Sequence, residues 1–507
     1  MLVVLRIAFL PSMYIRTTKT SSGSIAVQVV RYRHRKKMIV AHIGSARNRQ
    51  ELAALKQTAA AWIEKTAQQP ALFSAPPAPR LIPLEKCQYL GFRYALVYES
   101  LLKLFTLFKF HLLSRPLLTD LIAARIIEPA SKLQSLQFLD EFLGIRHSRR
   151  DLYRQMPEFA GLQAQVEARV LAVAKKEFHF DFSLVFYDVT TLYFESFKPD
   201  ELRKPGYSKD NKAQQPQIVI GLLVTADGFP VAYHLFEGNK FEGHTLIPVI
   251  AAFKRKHRIG RVTVVADAAM ISMENVLALR ARGLHYIVGA RMGNISPGLL
   301  QEINAALKGQ DGAAIRMTTA HGDLVCDFSQ KRYRKDMREM ERQIQKAEGL
   351  VSNPGAVKRA KFLRTGAKTR YELNTNLVEK TKLLLGIKGY YTNLGPETDD
   401  QTIIDRYHSL WHVEQAFRIA KSDLRMRPIY HFKRTTIEAH ILICFMALAV
   451  CRYMELKIGK STRHIVKALK SVTDARILNT LTREEITLRS EIKDEAKQLL
   501  IKLGLRY

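Results

Sequence analysis

The sequence predicts an α/β protein centred on a mixed β-sheet flanked by helices, and three observations carry that reading. "FSLVFYDVTTLYF" (182–194) and "PQIVIGLLVTADGFPVAYHLFEG" (216–238) hold three apolar, β-branched runs, the last two joined by Asp227-Gly228, a hairpin signal. "HTLIPVIAAFKRKH", "RVTVVAD", "SMENVLALRARG" and "HYIVGA" then alternate helix, strand, helix and strand. Helical periodicity dominates on both sides of this block. Three strands followed by αβαβ describe a meander extended by crossover strands, a mixed sheet with helices on its faces.

The elements divide the chain into five segments. Residues 1–75 read as a basic β-hairpin around a Ser/Gly turn ("YIRTTKTSSGSIAVQVVRYRHRKKMIVAHIG") and a helix ("RQELAALKQTAAAWIEKTA"). The prolines of "PALFSAPPAPRLIPLE" mark a linker. Residues 76–177 are helical, and basic helix ends such as "RHSRRDLYRQM" suit a DNA-binding region, with a scaffold bundle as the alternative. Residues 178–291 form the first part of the core.

In residues 292–400 the sheet pattern lapses over a length far beyond an ordinary loop, so an inserted, partly β subdomain is expected there. It includes the charged helix "SQKRYRKDMREMERQIQKAEG", the basic "VKRAKFLRTGAKTR" and a strand at "KGYYTNL". Residues 401–507 return to the core with an amphipathic helix from Ile403, a buried helix and a charged helical tail.

Among 507 residues, 79 are Lys or Arg against 47 Asp or Glu, a formal charge of +32. That balance favours a polyanion, because each phosphate neutralised releases condensed counterions. The longest apolar run, "ILICFMALAVC", falls short of the ~20 residues that span a bilayer, so no membrane partner is expected. The opening "MLVVLRIAFLP" is broken by Arg6 and reads as no signal peptide, leaving Met13 as an alternative start. Four scattered cysteines without a CxxC pair fit neither a zinc ribbon nor a disulfide framework, and a reducing cytoplasm is expected. Cys444 and Cys451, seven apart, read as core thiols.

Two carboxylates close apolar strands: Asp188 after "LVFY" and Asp267 after "VTVVA". Either alone reads as a cap or turn former. Together in one sheet they reach the same edge if their strands are neighbours. Glu414 is a third, set in the apolar stripe of "YHSLWHVEQAFRIAKSDL".

Like charges ~4 Å apart repel by ~4 kcal/mol at an effective dielectric near 20, so three carboxylates converge readily only around a cation. Oxygen ligands without a His or Cys cluster suit Mg²⁺ or Mn²⁺. Two such ions can clamp the attacking and leaving oxygens of a phosphodiester displacement. Tyr407, Glu414 and Lys421 are spaced seven and seven, so they share one helix face and extend over roughly 21 Å, a row that could hold a metal at its centre and a DNA backbone at each end. A salt-bridged helix with a half-buried tyrosine is the alternative. Asp181, Asp227 and Glu237 read as turn or surface residues, and Trp411 as core.

Asp188, Asp267 and Glu414 with the Tyr407/Glu414/Lys421 spacing resemble bacterial insertion-sequence transposases of the DDE type. The Y-R-E-K subgroup, of the insertion-sequence-four-like superfamily, is the nearest likeness. Its helix carries Tyr, Arg three on, Glu four further and Lys seven further; here the spacing matches, with Leu410 at the arginine position. "YDVTTLYFE", "GYSKDNKAQQPQIVIGLL", "VADAAMIS" and "VEQAFRIAKSDLRMRPIYH" extend the likeness over roughly residues 180–455.

The resemblance implies a ribonuclease H-like core, a largely β insertion between Asp267 and Glu414, and metal-dependent cleavage and strand transfer on double-stranded transposon ends and target DNA. Asp188, Asp267 and Glu414 would hold two Mg²⁺ or Mn²⁺ ions, and Tyr407 and Lys421 would grip phosphates. Lys209, Lys212 and His431 are further DNA-binding candidates, beside solvated-loop or turn roles. A homodimer in a synaptic complex and a bacterial, nucleoid-associated location are implied. The rivals are a catalytically inactive transposase-derived DNA-binding protein and a structure-specific DNA nuclease.

Overall fold

The computed structural model describes residues 13–33, 36–67, 84–195, 197–207, 212, 214–270, 272–319, 322–352, 360–365 and 371–506. Residues 1–12, on which the choice of start turns, most of the proline-rich linker, and Lys209 lie outside them.

The strands are β1 (Met13–Lys19), β2 (Ile25–Arg33), β3 (Lys36–Ala46), β4 (Cys87–Arg93), β5 (Leu184–Tyr193), β6 (Gln217–Val224), β7 (Pro230–Glu237) and β8 (Thr263–Ala266). They continue with β9 (His285–Gly289), β10 (Ala314–Thr319), β11 (Gly322–Phe328), β12 (Leu363–Thr365), β13 (Tyr371–Leu373), β14 (Ile387–Thr392), β15 (Asp474–Asn479) and β16 (Glu485–Arg489). The helices are α1 (Arg49–Ala67), α2 (Ala95–Leu107), α3 (Pro116–Ile127), α4 (Lys132–Phe138), α5 (Arg149–Phe159), α6 (Gln163–Phe178), α7 (Leu246–His257) and α8 (Met273–Ala281). After them come α9 (Pro297–Leu307), α10 (Gln330–Ser352), α11 (Thr375–Lys382), α12 (Asp400–His408), α13 (Trp411–Arg418), α14 (Arg434–Ile458), α15 (Thr462–Lys470) and α16 (Asp494–Lys502).

One unit comprises Met1–Val97, Glu141–Gly144 and Ala468–Ala496. Its first sheet is β1-β2-β3, so the expected hairpin gains a third strand. The first five residues of β3 are exposed, which leaves no alternation to mark it. α1 packs on this sheet through Leu55 and Ala59 against Val27, Val29 and Ala46. A second sheet, β16-β15-β4, corrects the expectation of an all-helical tail and of purely helical residues 76–177. The partners lie far apart in the chain, as in the Thr480 Oγ1 to Lys86 carbonyl bond between residues 394 apart, and no local pattern announces such pairing.

The other unit comprises Tyr98–Asp140, Ile145–Lys467 and Lys497–Tyr507. Its eight-stranded sheet has the order β10-β11-β14-β9-β8-β5-β6-β7. β5, β8 and β9 run parallel, with α7 and α8 in the connections, while β6 and β7 form an antiparallel meander beside β5. All eight residues of β6 are buried, so it reads as an unbroken apolar run. The order β7-β6-β5-β8-β9 is the ribonuclease H-like core that the resemblance implies.

Residues 292–400 correct a second expectation. Three of their strands lengthen the core sheet instead of standing apart, because β14 pairs antiparallel with the free edge of β9, Tyr390 opposite Gly289. α10, β12, β13 and α11 keep a small core of their own around Met340, Ala347, Phe362 and Val378.

α14 carries the longest apolar run and is buried along most of its length, including Cys444 and Cys451. Among the described residues no helix is long and apolar enough to cross a membrane. Arg452 of α14 is 3% exposed. Its guanidinium donates to the carbonyls of Asp227 at 2.7 Å and Gly228 at 3.1 Å, and pairs with Glu455 at 2.8 Å. Glu455 in turn accepts from the Thr462 amide and hydroxyl.

This network ties α14 to the β6–β7 turn. Arg452→Ala leaves a buried carboxylate and two carbonyls unmatched and is expected to cost about 3–5 kcal/mol in denaturant unfolding. A loss below ~1 kcal/mol would show that water replaces the guanidinium.

Candidate active site

β5 and β8 pair in parallel as far as Tyr187 opposite Ala266. The next residue of each strand is Asp188 and Asp267, so the two carboxylates leave the sheet at the same level on neighbouring strands, whose spacing is ~4.8 Å. Asp188 is half-buried within β5, while Asp267 is exposed where β8 ends and accepts its neighbour's amide, Ala268, at 2.7 Å.

Glu414 is exposed in the first turn of α13, which packs on β5 and β6. α12 packs over β8 and β9 and delivers Tyr407, 5% exposed, whose hydroxyl donates to Asp267 Oδ1 at 3.2 Å. Burial first, then the charge of Asp267 and its hydrogen bond, then Glu414 and Asp188, raise the Tyr407 phenol above its ordinary pKa. Of the three carboxylates, Asp267 touches this hydroxyl, and Glu414 and Asp188 act on it through their charge.

The helix between Tyr407 and Lys421 is not uninterrupted. Leu410 and Val413 amides bond back three residues, to Tyr407 and Leu410, so the chain tightens between α12 and α13. A π-helical turn, Ile419–Asp423, then holds the half-buried Lys421. The seven-residue steps thus do not lie on one straight face, which corrects the 21 Å row.

Leu410, at the arginine position of the resembling subgroup, is 6% exposed and packs in the core. Trp411, expected in the core, is 52% exposed with its ring 3.9 Å from that of His412. At the tightened turn the apolar positions pass to Leu410 and Val413, and the indole faces outward.

Lys212 lies over the end of β5, its Nζ 5.5 Å from the Tyr193 ring centroid, with the Arg427 guanidinium at 5.8 Å from the same ring. His431 packs 5.5 Å from the ring of His440, itself bonded to Lys132 Nζ at 3.3 Å and the Met426 carbonyl at 2.9 Å. Burial, then Lys132 and Arg125, lower the His431 pKa to about 4, so the ring is neutral near pH 7 and offers a phosphate no charge.

Two further residues shape the site. A Cβ on Gly289 would stand 2.3 Å from the Tyr407 hydroxyl, so only glycine at the end of β9 admits that ring. Lys388 of β14 sets its ammonium 4.6 Å from the Tyr407 ring centroid, within the fields of Asp267 and Glu414. The final glycine of "HYIVGA" was a readable signal for a close approach. Nothing local pointed to Lys388.

The donors are oxygens alone, the set that suits a hard divalent cation. Among the described residues no three His, Cys, Asp or Glu side chains stand close enough to hold a metal ion together. Repulsion between uncompensated carboxylates favours that spread.

A family model described as the transposase DDE domain matches residues 179–450, more than half of the chain. The chain belongs to this family. The match begins just before β5 and ends within α14, enclosing Asp188, Asp267 and Glu414. No curated protein matches the chain. Among solved structures, a cryo-EM structure of the piggyBac transposase synaptic complex with hairpin DNA is similar at a TM-score of 0.34 and 9% identity, over 61% of this chain and 57% of that one.

The neutral His431 gives this DDE-family chain a pH dependence. With a folded pKa near 4 against ~6.5 unfolded, the unfolded state binds more protons between those values, so stability is present above pH ~6.5 and lost as pH falls toward 4. His431→Gln is expected to flatten the denaturation-monitored slope over that window by up to about one proton. An unchanged slope would show that the ring is solvated.

Proposed function

We propose that this chain is an insertion-sequence transposase of the Y-R-E-K subgroup. In this reading it binds the terminal inverted repeats of its element as a homodimer in a synaptic complex, and cuts and joins DNA with Asp188, Asp267 and Glu414. The observation that carries the reading is the position of Asp188 and Asp267 one step past the last β5–β8 pair, beside a Tyr407 hydroxyl that bonds Asp267 and feels the charges of Glu414 and Asp188. Family membership and a formal charge of +32 support a DNA substrate. A bacterial, nucleoid-associated location follows from the same reading.

The three carboxylates would hold Mg²⁺ or Mn²⁺, two ions by the chemistry of phosphodiester displacement, which when bound would activate water and stabilise the leaving 3′ oxygen. Tyr407 has a positioning role: its hydroxyl and the Ala268 amide both donate to Oδ1 of Asp267. The hydroxyl already used in this way makes Tyr407 a poor grip on phosphate. Lys421 and Lys212 are the DNA-contact candidates that remain among the described residues. Lys209 stands three residues before Lys212 in the sequence, and His431 acts through packing.

The test uses labelled duplexes carrying the DNA that flanks this chain's own reading frame, with and without Mg²⁺. Asp188→Asn, Asp267→Asn and Glu414→Gln are each expected to retain duplex binding and lose cleavage by more than about a hundredfold, with double substitutions adding little. Joining of the cut 3′ end to target DNA separates a transposase from a nuclease. Parental cleavage by any one of these variants removes that residue from the metal site.

A further inference from the structure

Lys388 stands in the site without a partner. Among the described residues its ammonium makes no hydrogen bond or ion pair, although the side chain is half-buried. Asp327, its register partner across the β11–β14 ladder, is already engaged: Oδ1 accepts from the Tyr390 hydroxyl at 2.8 Å and Oδ2 from Arg332 at 3.3 Å. The ammonium lies instead over two rings, 4.6 Å from the centroid of Tyr407 and 5.8 Å from that of Tyr390. Burial and then Arg332 lower its pKa, while Asp327, Asp267 and Glu414 oppose that shift, so it senses both the strand-end aspartate and the helix glutamate.

A half-buried cation facing carboxylates that are themselves destined for metal ions has one electrostatic need, an anion entering with those ions. We propose that Lys388 contacts a phosphate of the DNA strand at the reacting centre. The proposal rests on the reading of Asp188, Asp267 and Glu414 as the metal site. It also gives residues 292–400 a catalytic contribution: β14 joins the core sheet beside β9, and that pairing carries Lys388 to the carboxylates. A lysine here acts as a compact point charge, whose reach is set by the strand and not by a loop.

The experiment measures Mg²⁺-dependent cleavage of the flanking-DNA duplex, the salt dependence of its binding, and thermal unfolding for Lys388→Ala, Lys388→Arg and Asp188→Asn. Lys388→Ala is expected to slow cleavage by about 10- to 100-fold, to reduce the salt slope by about one phosphate, and to leave the unfolding midpoint in place. Lys388→Arg is expected to recover most of the rate.

Parental cleavage by Lys388→Ala beside an inactive Asp188→Asn overturns the role of Lys388 and leaves the metal site standing. An unchanged rate with a lower Mg²⁺ requirement makes Lys388 only a counter-ion of the carboxylates, and also overturns it. Loss of activity with a lowered midpoint and no rescue by arginine assigns Lys388 to packing. Parental cleavage by Asp188→Asn fails the underlying reading, and the role of Lys388 with it.

Discussion

The parallel ladder between β5 and β8 is the constraint on which the site depends. It fixes the backbones of Asp188 and Asp267 at one level, one step past the last β5–β8 pair, so the two carboxylates can separate only through their side chains. Two like charges ~4 Å apart at an effective dielectric near 20 repel by ~4 kcal/mol, an appreciable part of the 5–15 kcal/mol that stabilises a typical domain. The surrounding parts respond to that repulsion. Tyr407 donates to Asp267, Lys388 sets a positive charge nearby, and Glu414 remains exposed on α13.

The sheet tolerates this charge because its apolar packing is extensive on both faces. Val185, Phe186 and Tyr187 of β5 and Val264, Val265 and Ala266 of β8 are buried up to the residue before each aspartate. The transition from apolar strand to carboxylate occurs in one step. α12 and α13 meet at a tightened turn, which lets Tyr407 point into the site while Leu410 fills the core. Gly289 opens the space for the Tyr407 ring, so a position without a side chain helps set the geometry of an aspartate on the next strand.

Much of this was legible in the sequence where the determinant is local. The β5–β6–β7 meander, the alternation through β9, the buried α14 and Asp267 at the end of β8 all follow from short-range pattern, because strand burial and turn chemistry are written within a few residues; Asp188, expected to close its strand, lies mid-way along β5, which runs on to Tyr193 beside β6. The spacing of Tyr407, Glu414 and Lys421 identified the right helix region but not its tightened and π-helical turns, which keep residue order and alter direction. What stayed hidden is partner choice. β4 with β15, β14 with β9, and Lys388 over the Tyr407 ring are contacts between distant segments, and periodicity has no term for them. The family match covers residues 179–450, which include β10, β11 and β14, in keeping with one sheet shared by the core and the segment between its two halves.

The proposed metal site is tested most directly by anomalous diffraction from crystals grown with Mn²⁺. Density at the end of β8 beside the middle of β5, within about 2.2 Å of oxygens from both Asp188 and Asp267 and with Glu414 drawn toward it, is the expected result. Mn²⁺ bound elsewhere, with Asp188 and Asp267 making no contact to it at saturating concentration, would contradict the assignment of these carboxylates as ligands.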